Sequence, residues 1–198
     1  MYGILTTRPA VTSAPRRYIS CEEDNTMNTV MENLLTRRSI RAFEDREIPG
    51  QELDAILKAA QYAPSAMNRQ TWQFTVLRSR AKIQELAAAI GEALDRENYT
   101  MYEPQVIIIT SNLRDARFGI DDNACALENI FLAARSFGIG SVWINQLRDA
   151  CDAPKVRRML KSYGIPDDHA AYGIAALGYA APAQPKEIIK NGKIVFAD

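Results

Sequence analysis

Apolar positions change their spacing several times along the chain, and each change predicts a different element. Apolar residues recur three and four positions apart in five stretches, which is typical of amphipathic helices, while short alternating or β-branched runs between them are typical of strands. The predicted helices are one that ends at Arg37-Arg38 and those over 49–62, 81–97, 121–137 and 154–163; the predicted strands cover 72–77, 106–110, 141–145 and 172–179. Helices and strands interleave without an internal repeat, so we expect α and β elements around one sheet.

Two of these elements are expected near the centre of the fold. The run 106–110 is β-branched throughout, which predicts a strand buried on both faces. The helix over 121–137 carries the widest apolar stripe, and Gly138 follows it as a left-handed cap would. The tail ends in a β-like run over 194–196.

Residues 1–26 differ from the rest of the chain. They contain two prolines and several Ser and Thr residues without sustained periodicity, and they lack the apolar run of about 7–15 residues that marks a secretory signal. We interpret them as a disordered leader, or as sequence upstream of a working initiator at Met27; an arm that docks on a partner subunit is the alternative. Residues 27–198 then form a single domain, which at this length needs neither disulfides nor a structural metal.

Composition and charge argue against several classes of function. The chain has 24 basic and 24 acidic residues and a pI near 6.6, so it has no net field to attract a polyanion, and we expect no nucleic-acid partner. Its apolar runs are far shorter than the roughly 20 residues that span a bilayer, so we expect no membrane segment. Three separated cysteines without a C-x-x-C pair argue against a disulfide framework or a cysteine-rich zinc site and predict a cytoplasmic location.

Few residues qualify as catalytic side chains or metal ligands. The single histidine, His169, follows two aspartates in a predicted loop, and we expect it to be solvated. Cys151 has no histidine near it in the sequence, which argues against a nucleophile. Asp121-Asp122 is expected to cap the central helix. A histidine-based metal centre and a Ser–His relay therefore have little to work with, and we predict no metal site.

Three segments have a composition that suits ligand binding. If the chain extends after the first helix, a period of two places Arg37, Ser39 and Arg41 on one side, where two guanidinium groups and a hydroxyl suit a phosphate. The alternative is a solvated set of cations that complements a helix C-terminus.

The second and third segments offer amides and glycines. The backbone amides over 63–70, with Asn68 and Gln70, suit a heterocycle that needs donors and acceptors together, although the same residues also form ordinary turns. In the segment over 137–145, Gly138 and Gly140 permit close approach by a flat ligand, or else a helix cap followed by a buried strand. No third glycine opens a helix here, so this is not a dinucleotide fingerprint.

Taken in order, the segments resemble a known family. The motifs R-R-S-I-R-x-F, A-A-x-x-A-P-S-A-x-N-x-Q-x-W-x-F, A-A-x-x-x-G-I-G-S-V-W-I and A-L-G-Y-x-x-P are similar to those of the FMN-dependent nitroreductase family over about 27–186. The resemblance implies an α+β fold with a mixed, mainly antiparallel sheet flanked by helices, in an intertwined homodimer with FMN at the interface. It also implies hydride transfer from NAD(P)H through the flavin to a nitroaromatic, quinone or similar acceptor, by a ping-pong mechanism. A same-fold flavoenzyme with another reaction (dehalogenation, azoline oxidation or flavin destruction) and a non-catalytic FMN-binding or storage protein are the alternatives.

The resemblance also implies roles for individual residues, all of them in cofactor binding. Arg37, Ser39 and Arg41 match positions that hold the FMN phosphate and the pyrimidine edge, and Arg38 lies within the same motif. A second set matches the segment that reaches the flavin from the other subunit, namely Pro64, Ser65, Ala66 and Asn68, with Gln70 beside them. The remaining matches are Ile144 and Asn145, whose backbone amides would face the reactive edge of the flavin, and Lys186, a basic residue on the phosphate.

The chain departs from the family pattern at two positions. Thr71 stands where the family usually has proline, and Ile188 stands where a second basic residue often follows Lys186. We therefore expect phosphate affinity to depend more heavily on Arg37–Arg41.

Overall fold

The computed structural model describes residues 28–182 and 189–197. Within them, the helices and strands occur in the order α1 (Thr29–Thr36), α2 (Gly50–Gln61), a 3₁₀ turn (Ala66–Asn68), β1 (Trp72–Leu77), α3 (Arg80–Ala93), β2 (Val106–Leu113), α4 (Gly119–Ser136), β3 (Gly140–Ile144), α5 (Gln146–Ala150), α6 (Pro154–Ser162) and β4 (His169–Gly178). No helix in this part of the chain is both long and apolar enough to cross a membrane.

The five predicted helices and four predicted strands are confirmed, with differences at their ends. Helix α3 stops four residues early, where the backbone N–H groups of Leu94 and Arg96 both donate to the carbonyl of Gly91. Strand β4 begins at His169, three residues early, because it continues to pair with β2. The short helix α5 was not predicted, and the tail over 194–196 forms no strand.

The sheet has the strand order β1-β2-β4-β3, and each neighbouring pair is antiparallel. The first seven residues of β2 are buried, and they include the whole run 106–110 that was predicted to be buried. Ile107 and Ile109 pack towards α3, α5 and α6, while Val106 and Ile108 pack towards α2 and α4. An antiparallel strand is therefore buried on both faces because helices cover both sides of the sheet.

Residues 39–44 cover the edge of the sheet at the start of β3 and just after the end of β4. Ser39 forms a parallel bridge with Ser141, and the Ile40 N–H donates to the Ser141 carbonyl over 2.9 Å. Further along, Phe43 forms an antiparallel bridge with Ala180. This pairing places the arginine-rich motif directly beside β3.

The expectation that His169 is solvated is wrong. His169 is the first residue of β4 and is buried, with its Nδ1 3.1 Å from the Oγ of Ser111 on β2. Burial lowers the pKa of His169 below its ordinary value. The residue was assigned to a loop because its two preceding aspartates are loop-like, whereas strand pairing decides where β4 begins.

Candidate functional site

Three arginines surround a small cavity beside the start of β3. The cavity has a volume of about 190 Å³ and includes Arg37, Arg38, Arg135 and Ser141 in its wall. Helix α1 ends at Thr36 because Arg37 takes an extended backbone (φ −60°, ψ 136°), as the motif predicted. Three guanidinium groups around one cavity favour an anion such as a phosphate.

Existing contacts hold two of these arginines in place. Arg37 Nε lies 3.5 Å from Glu128 Oε1, and Arg135 Nε donates to Thr36 Oγ1 over 3.2 Å. A guanidinium has five N–H donors in a planar fork, so a single contact through Nε leaves the outer N–H groups for a ligand. Arg135 and Glu128 were not among the predicted site residues. In the sequence, a cation such as Arg135 in the last turn of a helix is already explained by the helix dipole.

The rest of the motif spreads along the β3 edge. Ser39 is exposed at its bridge with Ser141, while the Arg41 guanidinium lies 5.9 Å from the centre of the Tyr102 ring. Arg37 and Arg41 thus reach towards different elements, α4 and the 95–103 segment.

The two glycines of the third segment have different functions. Gly138 has the predicted left-handed backbone, with φ 72°. Gly140 lies against Ile40, since a Cβ at position 140 would be 2.8 Å from Ile40 Cγ1. The close approach that we predicted for a flat ligand is therefore made by a side chain of the arginine motif.

The 64–70 loop lies at the other edge of the sheet, before β1. Met67, Asn68 and Gln70 have φ values of 54°, 53° and 50°, a conformation that is strained for residues with side chains. The loop is exposed at Pro64, Asn68 and Gln70, and half-buried at Ser65 and Ala66.

Side-chain hydrogen bonds help to hold this strained loop. The Ala66 N–H donates to Asp122 Oδ1 over 2.9 Å, and Gln70 Nε2 donates to Asn68 Oδ1 over 2.8 Å. The prediction that Asp121-Asp122 caps α4 is wrong, because the helix begins at Gly119 without a side-chain cap and Asp122 instead accepts the loop amide.

One chain does not bring the two predicted halves of the site together. The arginine motif lies at the β3 edge and the 64–70 loop at the β1 edge, with β2 and β4 between them. Because Ser39 bridges to the outer side of β3, four inter-strand spacings, about 19 Å, separate β1 from the motif. Lys186 and Ile188 lie outside the described residues.

A second cavity lies at the far end of β3. It has a volume of about 340 Å³, and its wall is formed by Ile120, Asn123, Ala124, Trp143, Asn145, Arg148 and Tyr172. Ile144 is buried and Asn145 is exposed, at the point where β3 passes into α5. Asn145 was the only predicted residue in this wall.

The sequence and the fold both match known proteins. The model of the nitroreductase family matches residues 34–108 and 95–179. The chain belongs to the nitroreductase family. A nitroreductase from Bacteroides fragilis, solved with bound FMN, is 40% identical and aligns with a TM-score of 0.81 over 87% of this chain and 100% of its own.

Two curated relatives have names that concern flavin and nicotinamide chemistry. A protein of Archaeoglobus fulgidus, with the inferred name NADH dehydrogenase/NAD(P)H nitroreductase, is 34% identical over 159 residues, which are 77% of this chain and 86% of its own. The FMN reductase (NADPH) of Bacillus subtilis is 26% identical over 188 residues, 82% of this chain and 73% of its own. The predicted family, the α+β fold class and the class of NAD(P)H-dependent flavin oxidoreductase are thereby confirmed.

The nitroreductase-family site has residues that fit FMN. The arginine cavity suits the doubly charged phosphate, and the strand that leads from it carries Ser141 at one end and Asn145 at the other, roughly 13 Å apart at 3.3 Å per residue. The donor set therefore matches a ligand with an anionic group at one end and a polar ring at the other.

Proposed function

We propose that this chain binds FMN along the β3 edge and uses it to reduce nitroaromatic, quinone or similar acceptors with NAD(P)H. The observation that carries the proposal is the arginine cavity of Arg37, Arg38 and Arg135, which opens on the same strand that leads to Asn145. In this proposal Arg37, Ser39 and Arg41 hold the phosphate and the pyrimidine edge, with Arg38 in the same motif. The backbone at Ile144 and Asn145 faces the reactive edge.

The chain itself supplies binding and orientation. FMN held there would supply the chemistry of hydride transfer from NAD(P)H to the second substrate, in a ping-pong sequence. Among the described residues, the walls of the two cavities include no Asp, Glu, His, Cys or Lys side chain. We therefore expect protons for the acceptor to come from solvent, while the guanidinium groups offset the charge of the phosphate.

We propose that the working form is a homodimer in which the partner's 64–70 loop completes each site. Four inter-strand spacings, about 19 Å, separate β1 from the arginine motif of the same chain, so a second copy would bring the two halves around one ligand. The strained backbone at Asn68 is consistent with a segment that is held for binding. Lys186 adds a further cation to the phosphate in this arrangement.

Exposed apolar residues support the same arrangement. Helix α1 buries none of its residues, and its side chains Val30, Met31, Leu34 and Leu35 are 43–66% exposed. A contiguous apolar surface of this kind marks an association site.

An absorption spectrum of the purified protein tests the proposal. We expect a flavin spectrum that is bleached anaerobically by NADH or NADPH and restored by a nitroaromatic or quinone, together with a molecular mass of two chains by light scattering. A flavin that neither nucleotide reduces would indicate storage or a reaction without nicotinamide. A colourless protein that cannot be reconstituted with FMN would refute the proposal.

A further inference from the structure

We propose that the cavity at the junction of β3 and α5 is an acceptor subsite that selects aromatic compounds carrying a negatively charged group. Trp143 and Tyr172 form its aromatic wall and Arg148 its cation. The inference rests on the proposed function, because it names the class of acceptor for the same flavin site.

Trp143 gives the cavity a flat, supported wall. The indole lies over Gly173 of the neighbouring strand, where a Cβ would come within 2.6 Å of Trp143 Nε1. Phe131 of α4 also packs against the indole, with ring centres 6.2 Å apart at 47°. Trp143 nevertheless remains 42% exposed. The exposed part of a fixed indole provides a stacking surface for a planar ligand.

A β-bulge directs Tyr172 towards the same cavity. Thr110 pairs with Gly173 and Ser111 pairs with Ala171, so Tyr172 is the extra residue in β4. In a regular strand Tyr172 and Gly173 would face opposite sides of the sheet. Because of the bulge, Tyr172 lines the cavity on the α4 side, and Gly173 lies beneath Trp143 on that side.

Arg148 is a cation without a counterion in the described part of the chain. Arginines elsewhere on the surface pair with carboxylates, as Arg114 does with Asp152 and Arg157 with Asp167. Arg148 forms no such pair within the described residues, and the cavity wall contains no Asp or Glu. A guanidinium without an ion pair among the described residues, in the same cavity wall as two aromatic side chains, favours a planar ligand with a carboxylate or phenolate.

The cavity also borders the point of hydride transfer. Asn145 lines the cavity and belongs to the backbone segment that we assign to the reactive edge of the flavin. A carboxylate held by Arg148, three residues later, would fix an aromatic acceptor beside that edge. Asn123 adds a buried polar group to the wall, and its Oδ1 has no hydrogen-bond partner in the described structure.

A matched pair of acceptors tests the inference by kinetics. 4-Nitrobenzoate and 4-nitrobenzamide share the ring and the nitro group and differ in charge. We expect kcat/KM to favour the benzoate by about tenfold, mainly through KM, as a charged hydrogen bond would give. Arg148→Gln should reduce that ratio to about one. Arg158, another exposed arginine, lies on α6 without an ion pair in the described structure, so Arg158→Gln is the control and should retain the parent ratio.

A binding measurement tests the subsite without turnover. The chain has two tryptophans, so benzoate should change the fluorescence of the oxidised protein through Trp143, and the change should disappear in Trp143→Phe and weaken about tenfold in Arg148→Gln. Equal affinity for benzoate and benzamide, or an unaltered kinetic ratio in Arg148→Gln, would overturn the inference. A protein without flavin would refute the proposed function instead, while the fluorescence titration would still decide whether the cavity selects the anion.

Discussion

The tightest contact at the proposed site gives a quantitative test of how β3 holds the arginine motif. In Gly140→Ala, the new methyl group would lie 2.8 Å from Ile40 Cγ1 and 3.0 Å from Ile40 Cβ. Ile40 must then move away from β3, which strains the bond from its N–H to the Ser141 carbonyl. Overpacking costs about 1–3 kcal/mol and a lost backbone hydrogen bond about 0.5–1.5 kcal/mol.

We therefore expect Gly140→Ala to lower the free energy of unfolding by about 2 kcal/mol. With a typical urea dependence of about 2 kcal/mol per molar, the unfolding midpoint should fall by roughly 1 M. Urea unfolding is followed by circular dichroism without FMN, because a bound ligand adds stability by mass action. FMN affinity, measured separately by titration, should also fall, since Arg37, Ser39 and Arg41 move with Ile40.

Gly50→Ala is the matched control. Gly50 is the first residue of α2, and a Cβ there would meet no atom within 4 Å. The midpoint should stay level or rise slightly, because alanine favours helix. The reasoning would be refuted if Gly140→Ala unfolded at the parent midpoint. It would also fail if Ile40→Ala were as costly in the Gly140→Ala background as in the parent, because residues in contact must couple.

Three further predictions concern single side chains. Arg37→Ala should weaken FMN binding by about 1.5–3 kcal/mol, or roughly 10- to 150-fold in Kd, because a charged hydrogen bond is lost. An unaltered Kd in a fluorescence titration would show that Arg37 does not bind the phosphate. Because burial lowers the pKa of His169, the unfolded chain binds more protons than the folded chain below about pH 7. The free energy of unfolding should therefore be constant above about pH 7 with respect to this group and fall as the pH drops through 6.5. His169→Gln should remove that part of the pH dependence, and a parallel decline in both proteins would contradict the assignment. Burial raises the pKa of Tyr99 to about 12, and its hydroxyl lies 3.3 Å from Gln146 Oε1. Tyr99→Phe should cost about 0.5–1.5 kcal/mol of unfolding free energy in urea. In an absorbance titration, the parent should show one more late-ionising tyrosine, near pH 12, than Tyr99→Phe.

Local patterns in the sequence were sufficient for most of the secondary structure. Three features each depend on neighbours within a few residues: the apolar stripe of α4, the β-branched run of β2 and the left-handed Gly138 after α4. Such patterns can be detected in a single sequence because helix and strand periods are local properties of the backbone. The arginine motif was recognised in the same way, through residue types at close spacing.

The misassigned residues depend on pairing between distant parts of the chain. His169 is buried because β4 continues along β2, and Asp122 is used by the loop at Ala66 rather than by its own helix. The bulge at Tyr172 is a shift in register between β2 and β4, which no periodicity in either strand records. Helix α5 is only five residues long, too short for a helical period to stand out.

By itself, the sequence determined the kinds of element, their order and the family to which the motifs belong. Only the tertiary structure decided that the arginine motif and the 64–70 loop lie at opposite edges of one sheet, that Arg135 joins Arg37 and Arg38 around a cavity, and that Trp143, Tyr172 and Arg148 meet in another. The physical reason is that strand order and register are set by the packing of side chains far apart in sequence, whereas helix and strand periods are set by the local geometry of the backbone.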